Sequence, residues 1–159
     1  MQRSRMEIRP RPEVPPAALR LQDRDGLDVN LVLWAIWLGQ TGAAPLDERF
    51  AAAAVAQVMP WRDMVVRGLR GIRQAMKPDV PGAPAGDANE LREKIKKLEL
   101  EGERIQHLIL GALARPGAGQ PDKLIAVHNV TRICAVEDVA VTDALKADVE
   151  KLADAAFAK

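Results

Sequence analysis

The chain has 159 residues, of which 48% are hydrophobic and only 3% are aromatic, with one Cys and two His. This length suits one sizeable core, and the shortage of aromatic residues favours close helix packing by Ala, Leu and Val over a β-sandwich. The single Cys excludes an internal disulfide framework, and the formal net charge of +1 is not the strongly basic balance of a dedicated nucleic-acid-binding protein.

Composition and charge divide the chain into segments of different character. Residues 1–77 carry 12 Lys and Arg against 8 Asp and Glu, whereas residues 78–159 carry 11 against 14. Between the two halves, KPDVPGAPAGDAN contains three Pro and two Gly, which is typical of an exposed linker. We therefore predict an all-α protein with four segments. They are an irregular basic N-terminus (1–15), a helical bundle (16–77), the linker (78–88) and a helical hairpin with a coiled-coil-like seam (89–159).

The stretch LQDRDGLDVNLVLWAIWLG, residues 21–39, joins a short first helix to a strongly apolar second one. The first helix is predicted near residues 16–24. The second begins near Asp28, whose carboxylate can accept hydrogen bonds from backbone N–H groups of the first turn, and it continues to Gly39 or Gly42. Its eight consecutive apolar residues also fit a buried strand. The capping signal favours a helix, which would lie at the centre of the bundle because it is apolar on all sides.

The same stretch contains a candidate polar site. Its members are Asp23, Asp25, Asp28 and Asn30. Paired carboxylates can perform acid–base chemistry when burial separates their pKa values, but no nucleophile accompanies them. The spacing does not match an EF-hand loop, which needs Gly at its sixth position and Glu at its twelfth. The alternative is structural: Asp28 caps the second helix, and Asn30 is a second cap or a buried hydrogen-bonding residue.

Two more helices are predicted before the linker. Asp47 caps the third helix, Pro60 stops it, and the fourth spans roughly Trp61 to Met76. An apolar stripe and a basic row lie on different faces of the fourth helix. The basic row either binds an anion or nucleic acid or is a solvated face, and no stacking aromatic residue or Gly-rich loop accompanies it. The basic row is Arg67, Arg70, Arg73 and Lys77.

The long helix after the linker contains a coiled-coil repeat. Apolar residues recur at alternating spacings of four and three, which predicts a seam that packs on another helix. The partner of the seam is either the helical segment from Lys123 onward, as one long or two short helices, or a second protein chain. The seam consists of Leu91, Ile95, Leu98, Gly102, Ile105, Ile109 and Ala112.

No motif in the sequence predicts a metal site, a cofactor or a catalytic group. His128 and Cys134 lie six residues apart, which is too far for them to share a helical face closely. Phosphate-loop, G-x-S-x-G and H-E-x-x-H patterns are absent from the sequence. The N-terminal residues lack the apolar region of a signal peptide, and the longest apolar run is too short for a membrane span, so the expected location is cytoplasmic.

Two blocks of the sequence resemble a family of short, uncharacterised proteobacterial proteins known as conserved hypotheticals. LQDRDGLDVNLVLWAIWLG and PWRDMVVRGLRGIRQAMK are similar to the family pattern LQ-D-x-x-G-x-DVN-L-L-x-W-x-G followed by P-W-x-x-VV-x-LR-x-x-R, and the resemblance covers residues 18–77. It implies no activity. Family members begin with an aromatic-rich helix, whereas this chain begins MQRSRMEIRPRPEVPP. We therefore expect an uncovered apolar face on the second helix, which invites a partner.

Three functional hypotheses follow. The first is a non-catalytic cytoplasmic interaction or scaffold protein that contacts a protein partner or a second copy of itself through the seam. The second is an anion- or nucleic-acid-binding module that uses the basic row. The third is an enzyme with the candidate polar site, for which nothing predicts a cofactor.

Overall fold

The computed structural model describes residues 14–114 and 117–158, so nearly all of the predicted irregular N-terminus lies outside the described residues. Within the described residues all regular structure is helical, which confirms the all-α prediction. A π-helical segment, Arg62–Val66, joins the third and fourth helices. The α-helices are α1 (Val14–Asp23), α2 (Val29–Gln40), α3 (Glu48–Trp61), α4 (Arg67–Ala75), α5 (Ala85–Leu113), α6 (Lys123–Val136) and α7 (Asp143–Phe157).

The helices form two compact units. Unit 1 contains the described residues up to Val55 and those from Leu113 onward, and unit 2 contains Ala56–Ala112. This grouping differs from the predicted segments. The predicted linker lies within unit 2, where the non-helical part of it connects α4 to α5. The last two helices, α6 and α7, pack on each other but belong with α1 and α2.

The centre of unit 1 is α2. Asp28 caps it by accepting a hydrogen bond from the Asn30 backbone N–H at 2.9 Å, as predicted. The side chains from Leu31 to Leu38 are almost all buried, because α1, α6 and α7 pack around the helix. The central position of this helix is therefore confirmed. The expectation of an uncovered apolar face is wrong, because α6 and α7 supply the cover that the sequence left unassigned.

Close approach and buried hydrogen bonds fix α6 on α2. At Gly39 of α2 a Cβ would lie 2.7 Å from the Cβ of Ala126, so only glycine permits this crossing. Asn129 of α6 is fully buried. Its Nδ2 donates to the carbonyl of Ala35 at 3.1 Å, and its Oδ1 accepts from the backbone N–H of Leu46 at 2.8 Å. Both ends of the buried amide are thus satisfied, as a protein interior requires.

The predicted end of α3 at Pro60 is wrong, although its start is confirmed by the hydrogen bond from the Phe50 backbone N–H to Asp47. Pro60 lies inside the helix. Proline has no N–H, so the usual bond four residues back is missing there. The π-helical segment follows directly, and the Arg67 N–H bonds to the carbonyl of Arg62, five residues back. The chain passes the proline by changing its hydrogen-bond pattern instead of ending the helix.

In unit 2, the π-helical segment and α4 lie beside α5. Gly102 of α5 faces the π-helical segment, since a Cβ there would lie 3.4 Å from Val66 and 3.5 Å from Val65. The indole N–H of Trp61 donates to the Gly102 carbonyl at 2.9 Å. Among the described residues, no helix is long and apolar enough to cross a membrane.

Candidate functional site

The three carboxylates of the predicted polar site each have a different local partner. Asp23 accepts from the side chain of Gln22 at 3.2 Å, Asp25 pairs with Arg24 at 2.6 Å, and Asp28 caps α2. Asn30 is buried directly behind this cap. The arrangement fits the structural interpretation of these residues, in which they end α1 and begin α2.

The charged residues around this turn also hold a carboxylate that the sequence did not single out. Asp148 of α7 has a side chain that is only 3% exposed, and it pairs with Arg20 at 2.6 Å and with Arg24 at 3.2 Å. The hydrogen bond from Arg20 lowers the pKa of Asp148 to about 2. These contacts join α1 to α7. Since 128 residues separate Arg20 from Asp148, no local sequence signal indicates the pairing.

The basic row of α4 is largely engaged by carboxylates of its own unit. Arg70 pairs with Glu99 at 2.8 Å and with Glu103 at 2.7 Å, and Arg73 donates a hydrogen bond to Glu99 at 2.5 Å. Burial alone raises the pKa of Glu99, but the hydrogen bonds from Arg73 and Arg70 bring it below its ordinary value. These carboxylates neutralise the middle of the row and join α4 to α5.

The two ends of the basic row are different from its middle. Arg67 pairs with Asp63 at 3.0 Å, one helical turn earlier, and Lys77 is exposed beyond the end of α4. Three of the four members therefore have a carboxylate partner. The row is not a continuous cationic surface of the kind that binds phosphate groups.

The buried face of α5 is rotated from the predicted seam. The residues that α5 buries are Ile95, Glu99, Gly102, Gln106 and Leu110. Of the predicted seam, Ile95 and Gly102 are buried, whereas Ile105 and Ile109 are partly exposed and Ala112 is exposed. The ion-paired Glu99 and Glu103 lie on this rotated side of α5, beside the seam and not within it.

The rotation leaves apolar residues of the seam in solvent. Leu91 is 52% exposed and Leu98 is 55% exposed. Ile105 continues the same line one heptad later and is partly exposed. We refer to Leu91, Leu98 and Ile105 as the apolar strip of α5. On α4, Ile72 is 53% exposed and belongs to the apolar stripe of that helix, which runs from Trp61 and includes Val65, a neighbour of Gly102.

The described residues offer little reactive chemistry. They contain no group of three or more His, Cys, Asp or Glu side chains that could hold a metal ion. Burial raises the pKa of the Cys134 thiol to about 11, so this thiol stays protonated at neutral pH. His128 is exposed and lies six residues before Cys134, which is too far along the helix for the two side chains to share a face closely.

Comparison with protein families and with known proteins gives one match. Residues 6–110 match a family described as a protein of unknown function, DUF2390. No curated protein and no solved structure matches the chain. The matched residues include both blocks of the sequence resemblance, the basic row and the apolar strip. Because the match covers most of the chain, this protein belongs to the family of unknown function DUF2390.

Proposed function

We propose that the protein is a non-catalytic interaction protein of the cytoplasm, which binds a protein partner through the apolar strip of α5. The observation that carries the proposal is the exposure of Leu91 and Leu98 within a heptad repeat. A single exposed Leu is ordinary on a protein surface. Apolar residues repeated every seven positions along one helix face are instead the pattern of a helix that packs on another helix.

The strip has the length and chemistry of a helix-binding surface. From Leu91 to Ile105 it extends over four turns, or about 21 Å of α-helix. Burying one Leu or Ile side chain contributes about 1.5–3 kcal/mol, so three such residues offset part of the cost of association, which is about 4–15 kcal/mol. An amphipathic helix laid along this surface would use the ordinary helix-in-groove mode of recognition.

The other two hypotheses receive no support from the geometry. For anion or nucleic-acid binding, Arg70 and Arg73 would have to leave Glu99, which is buried between them. For an enzyme, Asp25 and Asp28 would have to act at one centre, whereas one pairs with Arg24 and the other caps a helix. The apolar strip requires no such rearrangement.

Photo-crosslinking in cells tests the proposal. A photoreactive amino acid replaces Leu98 in the full-length chain, and a matched chain carries it in place of Glu93, which is exposed on another face of α5. We expect irradiation to yield a protein adduct from position 98 and much less from position 93. Equal yields from the two positions, or no adduct from position 98, would contradict the proposal.

A further inference from the structure

The three residues of the apolar strip are spaced equally about Leu98. Leu91 lies seven residues before Leu98, and Ile105 lies seven residues after it. A row of apolar residues spaced equally about its middle member matches its own reverse. Two such strips can therefore pack with their helices antiparallel, so that the two Leu98 side chains meet at a two-fold axis. A closed two-fold contact is also the commonest arrangement of protein homo-oligomers.

Two side chains of opposite charge lie beside the strip, one on each side of Leu98 along the helix. Lys94 and Glu101 are exposed and occupy equivalent positions of successive heptads, four residues before and three residues after Leu98. In an antiparallel pair, Lys94 of each copy lies near Glu101 of the partner subunit. In a parallel pair in register, this flank of one copy would instead lie on the opposite side of the interface from the same flank of the other copy, so Lys94 and Glu101 would not face each other. The charge pattern is thus complementary to itself only when the helices are antiparallel.

We propose that two copies of the chain associate through the apolar strip, with their α5 helices antiparallel about Leu98 and with Lys94 beside Glu101 of the partner subunit. The inference rests on the proposed function and specifies its partner as a second copy. Glu101 already pairs with Arg104 at 2.6 Å. Both side chains are more than half exposed, so that pair contributes little, and it does not prevent Glu101 from accepting a second cation.

Analytical ultracentrifugation of the full-length chain over a range of concentrations tests the dimer. We expect a monomer–dimer equilibrium for the parent. Lys94→Glu and Glu101→Lys each place two pairs of like charges across the interface and weaken the dimer roughly tenfold. The double variant Lys94→Glu/Glu101→Lys restores the opposite charges and the parent affinity. An equimolar mixture of the two single variants recovers association as well.

The control is Glu93→Lys, which makes the same charge change as Glu101→Lys on the same helix. Glu93 is exposed on another face of α5, away from the strip, and we expect no weakening of the dimer. The differences among variants shrink at high salt, since exposed charges are screened. All three substituted side chains are exposed, and circular dichroism verifies that each variant keeps the helical content of the parent.

The results separate this inference from the proposed function. A parent chain that stays monomeric at every concentration, or a double variant no better than the single ones, overturns the antiparallel dimer. The mass of the photo-crosslinked adduct from position 98 distinguishes the two proposals. An adduct of twice the chain mass supports the dimer. An adduct with a different protein overturns the dimer while the proposed function stands, and the absence of any adduct contradicts both.

Discussion

Asn129 lies fully buried on α6, and both ends of its amide bind backbone groups from distant parts of the chain. One is the Leu46 N–H before α3, and the other is the Ala35 carbonyl of α2. Removing a buried partner leaves these groups without a hydrogen bond in a medium that cannot replace it. Asn129 therefore determines where α6 sits along α2, in addition to stabilising the contact.

The first prediction concerns this residue. Asn129→Ala removes both hydrogen bonds, and we expect it to lower the free energy of unfolding by about 3 kcal/mol. Urea denaturation followed by circular dichroism measures the change. The control is His128→Ala, at the exposed neighbouring position, for which we expect a change below about 0.5 kcal/mol. Similar losses in the two variants would show that the buried hydrogen bonds are not the cause.

The second prediction concerns Asp148. Its pKa of about 2 in the folded chain, set first by the Arg20 hydrogen bond, lies below the usual value in an unfolded chain. The ion pairs therefore contribute stability that is present above about pH 4 and is lost as the pH falls through about 2. Because Arg20 and Arg24 are 42% and 39% exposed, solvent reduces this contribution to about 1–2 kcal/mol.

We expect Asp148→Asn to be less stable than the parent by that amount at pH 7, with the difference shrinking as the pH falls from 4 to 2. Urea denaturation at several pH values measures it. Asp154→Asn is the control, because Asp154 is an exposed carboxylate of the same helix that pairs with Lys123. A difference between Asp148→Asn and the parent that stays constant from pH 7 to pH 2 would contradict the assignment.

At the scale of the element, the sequence predicts starts and lengths of helices better than the faces they bury. The starts of α2 and α3 depend on Asp28 and Asp47, which act within their own first turns, so local sequence is enough. The buried face of α5 depends instead on Arg70, which lies 29 residues from Glu99. Heptad spacing shows which residues of α5 are apolar. It does not show which neighbouring helix contributes arginines, and these rotate the packing.

The π-helical segment is a second case in which the element depends on more than local propensity. A proline in a helical pattern is normally taken as a break. Here Pro60 is followed by residues that continue as a helix with five-residue hydrogen bonds.

The apolar strip could be predicted only in part, as the buried face of α5 could. Its members were recognised from their spacing, whereas their exposure could be established only from the structure.

The third prediction compares two glutamates of α5. Glu99 is 7% exposed and accepts from Arg70 and Arg73, whereas Glu101 is 51% exposed and pairs with Arg104. We expect Glu99→Gln to lower the free energy of unfolding by about 3 kcal/mol, because it leaves the partly buried Arg73 without its carboxylate and leaves Arg70 with Glu103 only. For Glu101→Gln we expect a change below about 1 kcal/mol.

Urea denaturation at low protein concentration measures both variants, so that association between copies does not contribute to the comparison. If Glu99→Gln proved as stable as Glu101→Gln, the ion pairs between α4 and α5 would not be what stabilises this part of unit 2. If both variants lost several kcal/mol, burial of Glu99 would not distinguish the two sites.

At the scale of the whole molecule, unit 1 is assembled from residues on both sides of unit 2 in the sequence. The four segments predicted from composition did not reveal this, because Pro and Gly mark the turn between α4 and α5 as clearly as they would mark a domain boundary. The family match ends at residue 110, before α6 begins. Of the three helices that cover α2, α6 and α7 therefore lie beyond the part of this chain that matches the family.

The fourth prediction follows from this arrangement. Removing residues 117–159 deletes α6 and α7, and we expect the remaining chain to lose the cooperative unfolding of unit 1 and to aggregate, because α2 loses its cover. Hydrogen exchange measures the protection of the α2 amides. A separate fragment of residues 117–159, added to the truncated chain, is expected to restore part of that protection. Full protection of α2 without α6 and α7 would contradict the packing described for unit 1.

The distance along the chain between α2 and α6 has a consequence for synthesis. Asn129 lies 94 residues after Ala35, to which it donates a hydrogen bond. At roughly 5–20 residues per second on the ribosome, α2 is made roughly 5–20 s before the helix that covers it. During that interval LVLWAIWL is an apolar segment without α6 and α7, and we expect chaperones that capture such segments to bind the nascent chain there. The residues that lie buried at the centre of unit 1 in the finished chain are therefore prone to aggregation while the chain is incomplete.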